Sequence, residues 1–170
     1  MLDNVKSKYI LKEIFERIKN KRKLNIIKYN KNIKIKLDIN IEDFEIFIAL
    51  KEFNDKYHTK IEHIDIKELN LGSKFIGDEG LKDLAKMNFT ELKKLDLNWN
   101  NISDIKVLEN VNLEKLEILN LSDNKITDIN ILEKVNFKNL KELNLYDNEI
   151  SDASVNNSKL KNIIIIIKFF

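Results

Sequence analysis

Apolar positions in the second half of the chain recur on a fixed template: Leu, then Leu three on, Leu two further, Asn three after that and Ile two beyond. Three copies follow it, LKKLDLNWNNI, LEILNLSDNKI and LKELNLYDNEI, and their first leucines, Leu92, Leu116 and Leu140, are 24 residues apart. Within each copy Leu95 and Leu97, Leu119 and Leu121, Leu143 and Leu145 alternate with polar residues, the period-2 signature of a strand buried on one face. Between the strands, Ile105, Leu108 and Val111, then Ile129, Leu132 and Val135, recur at threes, which predicts a helical turn or short helix behind each strand. A divergent earlier copy uses Ile66, Leu69, Leu71 and Ile76, with Lys74 in place of the asparagine and a spacing of 26 to the next copy. Its GDEGLKDLAK segment predicts a short helix with Leu81, Leu84 and Ala85 turned inward.

The template L-x-x-L-x-L-x-x-N-x-L/I with a period of about 24 residues resembles the leucine-rich repeat over residues 61–155. That resemblance implies an α/β right-handed solenoid with a parallel concave β-sheet, capped by an N-terminal α-helical segment. The boundaries are a helical cap over 1–60 and repeats over 61–170, with strands near 66–72, 92–98, 116–122 and 140–146. The tail IIIIIKFF supplies a candidate fifth strand over 163–169. Adding 24 to Leu140 places Ile164 at the first template position and Ile167 and Phe169 at the next leucine positions.

Ahead of the repeats the pattern changes to helical spacing. Ile10, Leu11, Ile14, Phe15 and Ile18 share one face over Ser7 to Asn20. Leu24, Ile26, Ile27 and Tyr29 suggest a second helix, and Ile33, Ile35 and Leu37 form either a strand or a helical turn. Asn40 is a candidate N-cap, with Glu42 and Asp43 in the first turn of a helix running to about Lys56. Its apolar set, Ile41, Phe44, Phe47, Ile48 and Phe53, is broad enough to require a large surface such as the end of the solenoid. The pattern over residues 8–38, carried by Ile10, Leu11, Ile14, Phe15, Ile18, Leu24, Ile27 and Leu37, also resembles an F-box. The Leu-Pro opening of that family has no counterpart here, and Lys21, Arg22 and Lys23 stand where it has an acidic turn. The F-box resemblance implies docking to the linker subunit of a ubiquitin ligase.

Charge changes this picture only locally. The chain holds 30 Lys+Arg against 28 Asp+Glu, too even a balance to predict a nucleic-acid partner or a membrane surface. Met1 to Leu37, however, carries 12 basic and 3 acidic residues, so the remainder is acidic. There is no cysteine and no proline, and the amino end has no uninterrupted apolar core of signal length. The expected setting is intracellular, cytoplasmic with the nucleus left open. The eight-residue tail is far below the ~20 residues of a membrane-spanning helix.

Catalytic parts are scarce. His58 and His63 lie five apart with no cysteine beside them, so no metal site is expected. The three glycines, Gly72, Gly77 and Gly80, fall in the divergent first copy and build no phosphate loop. A non-catalytic protein–protein interaction module without cofactors is the expectation, and an F-box-type substrate adaptor is the alternative. On a strand face open to solvent the columns are Glu68, Lys94, Ile118, Glu142; then Asn70, Asp96, Asn120, Asn144; then Gly72, Asn98, Ser122, Tyr146; and at the rim Ser73, Trp99, Asp123, Asp147. Ile118, Tyr146 and the sole tryptophan, Trp99, are the apolar members among polar neighbours, the combination that anchors protein interfaces. The candidate partner-binding set is therefore Trp99, Ile118, Tyr146, Asp96, Asn120, Asn144, Lys94 and Glu142.

Overall fold

The computed structural model describes residues 41–151 and 163–167. The helices expected between Ser7 and Leu37, the N-cap at Asn40 and the F-box resemblance over 8–38 lie outside the described residues. Helix α1 spans Ile41–Tyr57. It crosses the boundary between two compact units, one ending at Ala49 and the other running from Leu50 to the end of the chain. On the first of these, Ile48 is buried and Phe47 is exposed.

Among the described residues of the second unit five short parallel strands, β1 (Glu68–Asn70), β2 (Lys94–Asp96), β3 (Ile118–Asn120), β4 (Glu142–Asn144) and β5 (Ile164–Ile166), form one sheet in sequential order. Each of β1 to β4 is the three-residue centre of the longer segment expected from the template. The ladder nevertheless continues past it, through the bonds from Leu71, Leu97 and Leu121 N–H to the carbonyls of Asp96, Asn120 and Asn144, all 2.8 Å. One coil therefore hangs on the next along the whole strand-and-turn segment. The strand leucines Leu69, Leu95, Leu119 and Leu143 and their successors Leu71, Leu97, Leu121 and Leu145 are all buried. That alternation is what a sheet with one dry face requires.

The returns differ in build. After β1 the chain forms α2 (Gly77–Leu84), with Leu81 and Leu84 buried and Ala85 only half-buried. After β2 and β3 the threefold spacing produces 3₁₀ turns, Lys106–Asn110 and Asn130–Glu133, with Ile105, Leu108, Ile129 and Leu132 buried. A 3₁₀ turn brings residues three apart onto one side, which matches the spacing of these apolar pairs. The C-terminal part of α1 closes over α2. Phe53 and Tyr57 are buried with their rings 4.6 Å apart, and Tyr57 Oη donates to Asp83 Oδ2 at 3.1 Å. Asn54 then holds the chain as it leaves α1, donating to the Ile61 carbonyl at 2.8 Å and accepting from the Ile61 N–H at 2.9 Å.

The tail departs from the 24-residue period. Glu142 pairs with Ile164, Leu143 with Ile165 and Asn144 with Ile166, so the last interval is 22 and the inward pair is Ile165 and Ile167, not Ile167 and Phe169. A slip by two residues preserves which side chains face inward. A run of five isoleucines has no alternation by which the sequence could have distinguished the two registers.

Candidate functional site

The turns that end the strands position everything on the outward face. Asn100, Asn124 and Asn148 are buried, and each serves the coil before it. Asn100 Oδ1 accepts from Lys74 and Ile76 N–H at 3.1 and 3.2 Å, while its Nδ2 donates to the Leu71 carbonyl at 2.8 Å. Asn124 Oδ1 accepts from Asn100 and Ile102 N–H, and its Nδ2 donates to the carbonyls of Leu97, Leu121 and Ser122. Asn148 repeats the pattern toward Ile126 and Leu121. An amide carries both donors and an acceptor, so one side chain pairs backbone groups that the bend strips of partners inside the stack. Because the bonds reach backward, the first coil has no preceding turn to serve, and Lys74 can occupy its ladder position.

A second set of turns organises the face itself. Asn70, Asp96, Asn120 and Asn144 each accept, through Oδ1, the N–H two residues on, at 2.8 to 3.1 Å. These are Asx turns, in which a short polar side chain stands in for a backbone acceptor. One oxygen of Asp96, Asn120 and Asn144 is thereby committed to holding the strand exit.

The outward columns have the register expected from the repeat, Glu68–Lys94–Ile118–Glu142 and Asn70–Asp96–Asn120–Asn144, and β5 extends them with Ile164 and Ile166. They line a shallow groove of about 260 Å³ that brings together Lys94, Asp96, Ile118, Asn120, Glu142 and Asn144 with Glu68 and Asn70. Ile118 sits half-buried among them. Lys94 pairs with Glu68 at 3.1 Å. Trp99 and Tyr146 do not line the groove. They stand at the strand exits, 59% and 45% exposed, two coils apart in the stack.

The rim column Ser73, Trp99, Asp123 and Asp147 adopts positive φ throughout, from 54 to 58°. Aspartate tolerates this left-handed conformation and a bulky residue does not, so Trp99 holds the strained member of the column. Phe75, at φ 54° and 75% exposed, adds a third aromatic on the exit side. Sequence reading passed over it because the first coil diverges. Its signal was a phenylalanine in a column that is otherwise Asn101, Lys125 and Glu149.

The strand-entry side is different in character. Glu117 bridges Lys93 and Lys141 from the neighbouring coils, Lys115 pairs with Glu91, and Lys138 with Glu114 at 2.9 Å. Hydrogen bonds from Lys141 and Lys93 hold the Glu117 carboxyl down at about 2. His58 and His63 line a separate recess of about 570 Å³ beside β1, where His63 Nδ1 contacts Asp65 Oδ1 at 2.5 Å. Among the described residues no cluster of His, Cys, Asp and Glu could hold a metal ion, and no helix is long and apolar enough to cross a membrane.

The family model for leucine-rich repeats (two copies) matches residues 90–134 and 114–163. Among solved structures, an internalin from Listeria monocytogenes is similar at 19% identity with a TM-score of 0.43, covering 63% of this chain and 44% of that one. Internalin C2 from the same organism is similar at 32% identity with a TM-score of 0.42, covering 62% of this chain and 52% of that one. The chain thus spans about half the length of these structures. No curated protein matches it. Leucine-rich repeats generally serve as scaffolds for protein–protein interaction, and the stretch from residue 90 to residue 163 is a run of leucine-rich repeats, its parallel sheet that of a leucine-rich-repeat solenoid.

Proposed function

We propose that this chain is a non-catalytic interaction module that captures a protein partner on the outward, concave face of its sheet. The observation that carries the reading is Ile118, an apolar, half-buried side chain in the outward columns of β1 to β4, whose other members are all polar, on a groove that also reaches the core leucines Leu69 and Leu95. Trp99 and Tyr146 flank the groove with large exposed surfaces. Interfaces concentrate their binding energy in such anchors and surround them with polar rims that exclude water. Lys94, Glu142, Asp96, Asn120 and Asn144 supply the surround and set the register of the partner.

The test is affinity capture from native extract with wild type and with Ile118→Asp, Trp99→Ala and Tyr146→Ala, singly and together. None of these side chains is fully buried, so far-UV circular dichroism should stay at the wild-type signal while capture of the same partner falls. Equal capture by wild type and the triple variant overturns the reading. The adaptor alternative rests on residues 8–38, and it is tested separately by pull-down of the full chain with a ligase linker subunit, with Ile14→Asp as the disabling change.

A further inference from the structure

We propose that β1 is a receiving edge of the sheet: an extended segment of a protein partner, with a carboxylate two residues ahead of an apolar side chain, adds to it as a further parallel strand. This goes beyond the concave-face reading and does not rest on it.

Backbone direction is the first support. Lys67 C=O accepts from Lys93 and Lys94 N–H at 2.7 and 3.0 Å, and Leu71 N–H donates to the Asp96 carbonyl at 2.8 Å. The odd residues of β1 therefore face β2. Successive residues of a strand direct their N–H and C=O groups to opposite sides. Those of Glu68 and Asn70 accordingly point out of the other edge, where they have no partner among the described residues. Unpaired groups in such a row are a template for another chain.

The space beside them is the second. The recess of about 570 Å³ lies at this edge, with β1 on one side and residues 58–63 on the other. That far wall is fixed to α1, since Thr59 N–H donates to the Asn54 carbonyl at 3.2 Å and Asn54 bonds Ile61 through both ends of its amide. Ile61, Leu69 and Leu71, all buried, and half-buried Ile66 reach into its lining. Backbone donors and acceptors beside an apolar lining are what captures an extended peptide: the ladder supplies affinity and every second side chain specificity.

The stack itself supplies the register and the chemistry. A segment that precedes β1 as β1 precedes β2 places one residue opposite Leu69, where its N–H donates to the Glu68 carbonyl and its own carbonyl accepts from Asn70 N–H. Stacking on Leu69 selects an apolar side chain there. Two residues earlier the segment lies opposite Lys67. This lysine heads the column Lys67, Lys93, Glu117, Lys141, in which Glu117 bridges the two later lysines. Lys67 has no carboxylate partner among the described residues, and Asp65, two residues before it, contacts His63 instead. A carboxylate opposite Lys67 completes the column. The recess is otherwise balanced, Lys60 and Lys74 against Glu62 and Glu68, so the preference in sign is local to Lys67.

The probes are short peptides on a serine–threonine background. One carries Glu-Thr-Leu at its centre, one Lys-Thr-Leu, and two are the first peptide N-methylated on a single backbone nitrogen, at Leu or at the central Thr. In the stated register the Leu N–H faces the sheet and the Thr N–H faces away. Anisotropy of labelled peptide is followed against the full chain. The Glu peptide should bind saturably and about 2- to 5-fold tighter than the Lys peptide, and Lys67→Glu should reverse that order. Methylation at Leu should loosen binding about 3- to 10-fold, and methylation at Thr should change it by less than about 2-fold. Amide exchange reads the edge directly. Glu68 and Asn70 should exchange fast in the free chain while Leu69 and Leu71 are protected, and both should slow at least about 10-fold when the Glu peptide saturates. No saturable binding, equal loss from either methylation, or a Glu peptide no tighter than its Lys counterpart overturns the inference. Slow exchange at Glu68 and Asn70 in the free chain overturns it as well, because the edge is then already held, by a second copy if the protection grows with protein concentration and by the chain's own residues if it does not.

Discussion

Asn124→Ala is the substitution that most directly interrogates the stack. The side chain is 8% exposed. Its Oδ1 accepts the N–H groups of Asn100 and Ile102 at 3.1 and 2.9 Å, and its Nδ2 donates to the carbonyls of Leu97, Leu121 and Ser122, each at 3.0 Å. Alanine removes the acceptor and strands the N–H groups of two fully buried residues, Asn100 and Ile102, in the turn of the preceding coil. A buried donor left unpaired costs about 1–3 kcal/mol, so the pair should cost about 2–6 kcal/mol. The carbonyls each retain a second lone pair and add less. Against a whole-domain stability of about 5–15 kcal/mol, the change should move the urea midpoint far down. Asn98→Ala is the control, because Asn98 is the same residue type on the outward face and its loss should stay within about 0.5 kcal/mol. Unfolding is followed by far-UV circular dichroism and Trp99 emission, and amide exchange reads the mechanism locally, since protection at Asn100 and Ile102 should fall before that at Leu119. If Asn124→Ala lies within 1 kcal/mol of wild type with protection at Asn100 and Ile102 intact, the ladder does not bear on stability as argued.

Three further outcomes are expected. Trp99→Asn should stabilise the fold by about 1 kcal/mol in chemical denaturation, because asparagine relieves the left-handed strain that tryptophan carries, and it should cost partner capture; unchanged or lower stability removes the strain argument. Gly80→Ala should destabilise despite the better helix propensity, since the added Cβ falls 2.3 Å from Ile76 Cβ and 3.1 Å from the Tyr57 ring; overpacking of about 1–3 kcal/mol exceeds a propensity gain of about 1 kcal/mol, and a raised melting temperature contradicts that packing. Glu117, held at about 2 against an ordinary 4.5, is depressed in the folded state. Its stabilising contribution is therefore complete above about 4.5 and lost as pH falls toward 2. A carboxyl-carbon NMR titration of Glu117 should show the low midpoint, and Glu117→Gln should flatten stability over that interval alone.

Leucine spacing carried the register of β1 to β4 because each copy repeats the same alternating leucine pair, whether the interval is 26 or 24 residues, which leaves one way to stack the coils with Leu69, Leu95, Leu119 and Leu143 inside. The identity of each return was less legible, since Ile105 and Leu108 at threes suit a 3₁₀ turn and a helix equally, and the hydrogen-bonding choice is made by the length of the loop that remains. Asp96, Asn120 and Asn144 were chosen for exposure, yet each bonds the backbone two residues on. The clue lay in the column itself, which is Asn or Asp in four coils running, the composition of a turn. Phe75 was missed for the opposite reason, because a diverged coil hides which column a residue belongs to. Ile164 to Ile167 misled by two residues, as a homopolymeric strand reports its propensity and not its register.

The asparagine ladder also has a direction, and that sets the order in which the stack can be assembled. Each turn leaves the N–H groups of its own bend waiting for an acceptor that lies about 24 residues downstream. A chain emerging from the ribosome therefore holds every newest coil incomplete until the next arrives, and completion travels toward the C-terminus one coil at a time. Trimming a coil from the front turns one asparagine side chain out to solvent, whereas trimming one from the back strips the backbone N–H groups of the coil before it of their acceptor. Shortened variants should tolerate the first loss better than the second.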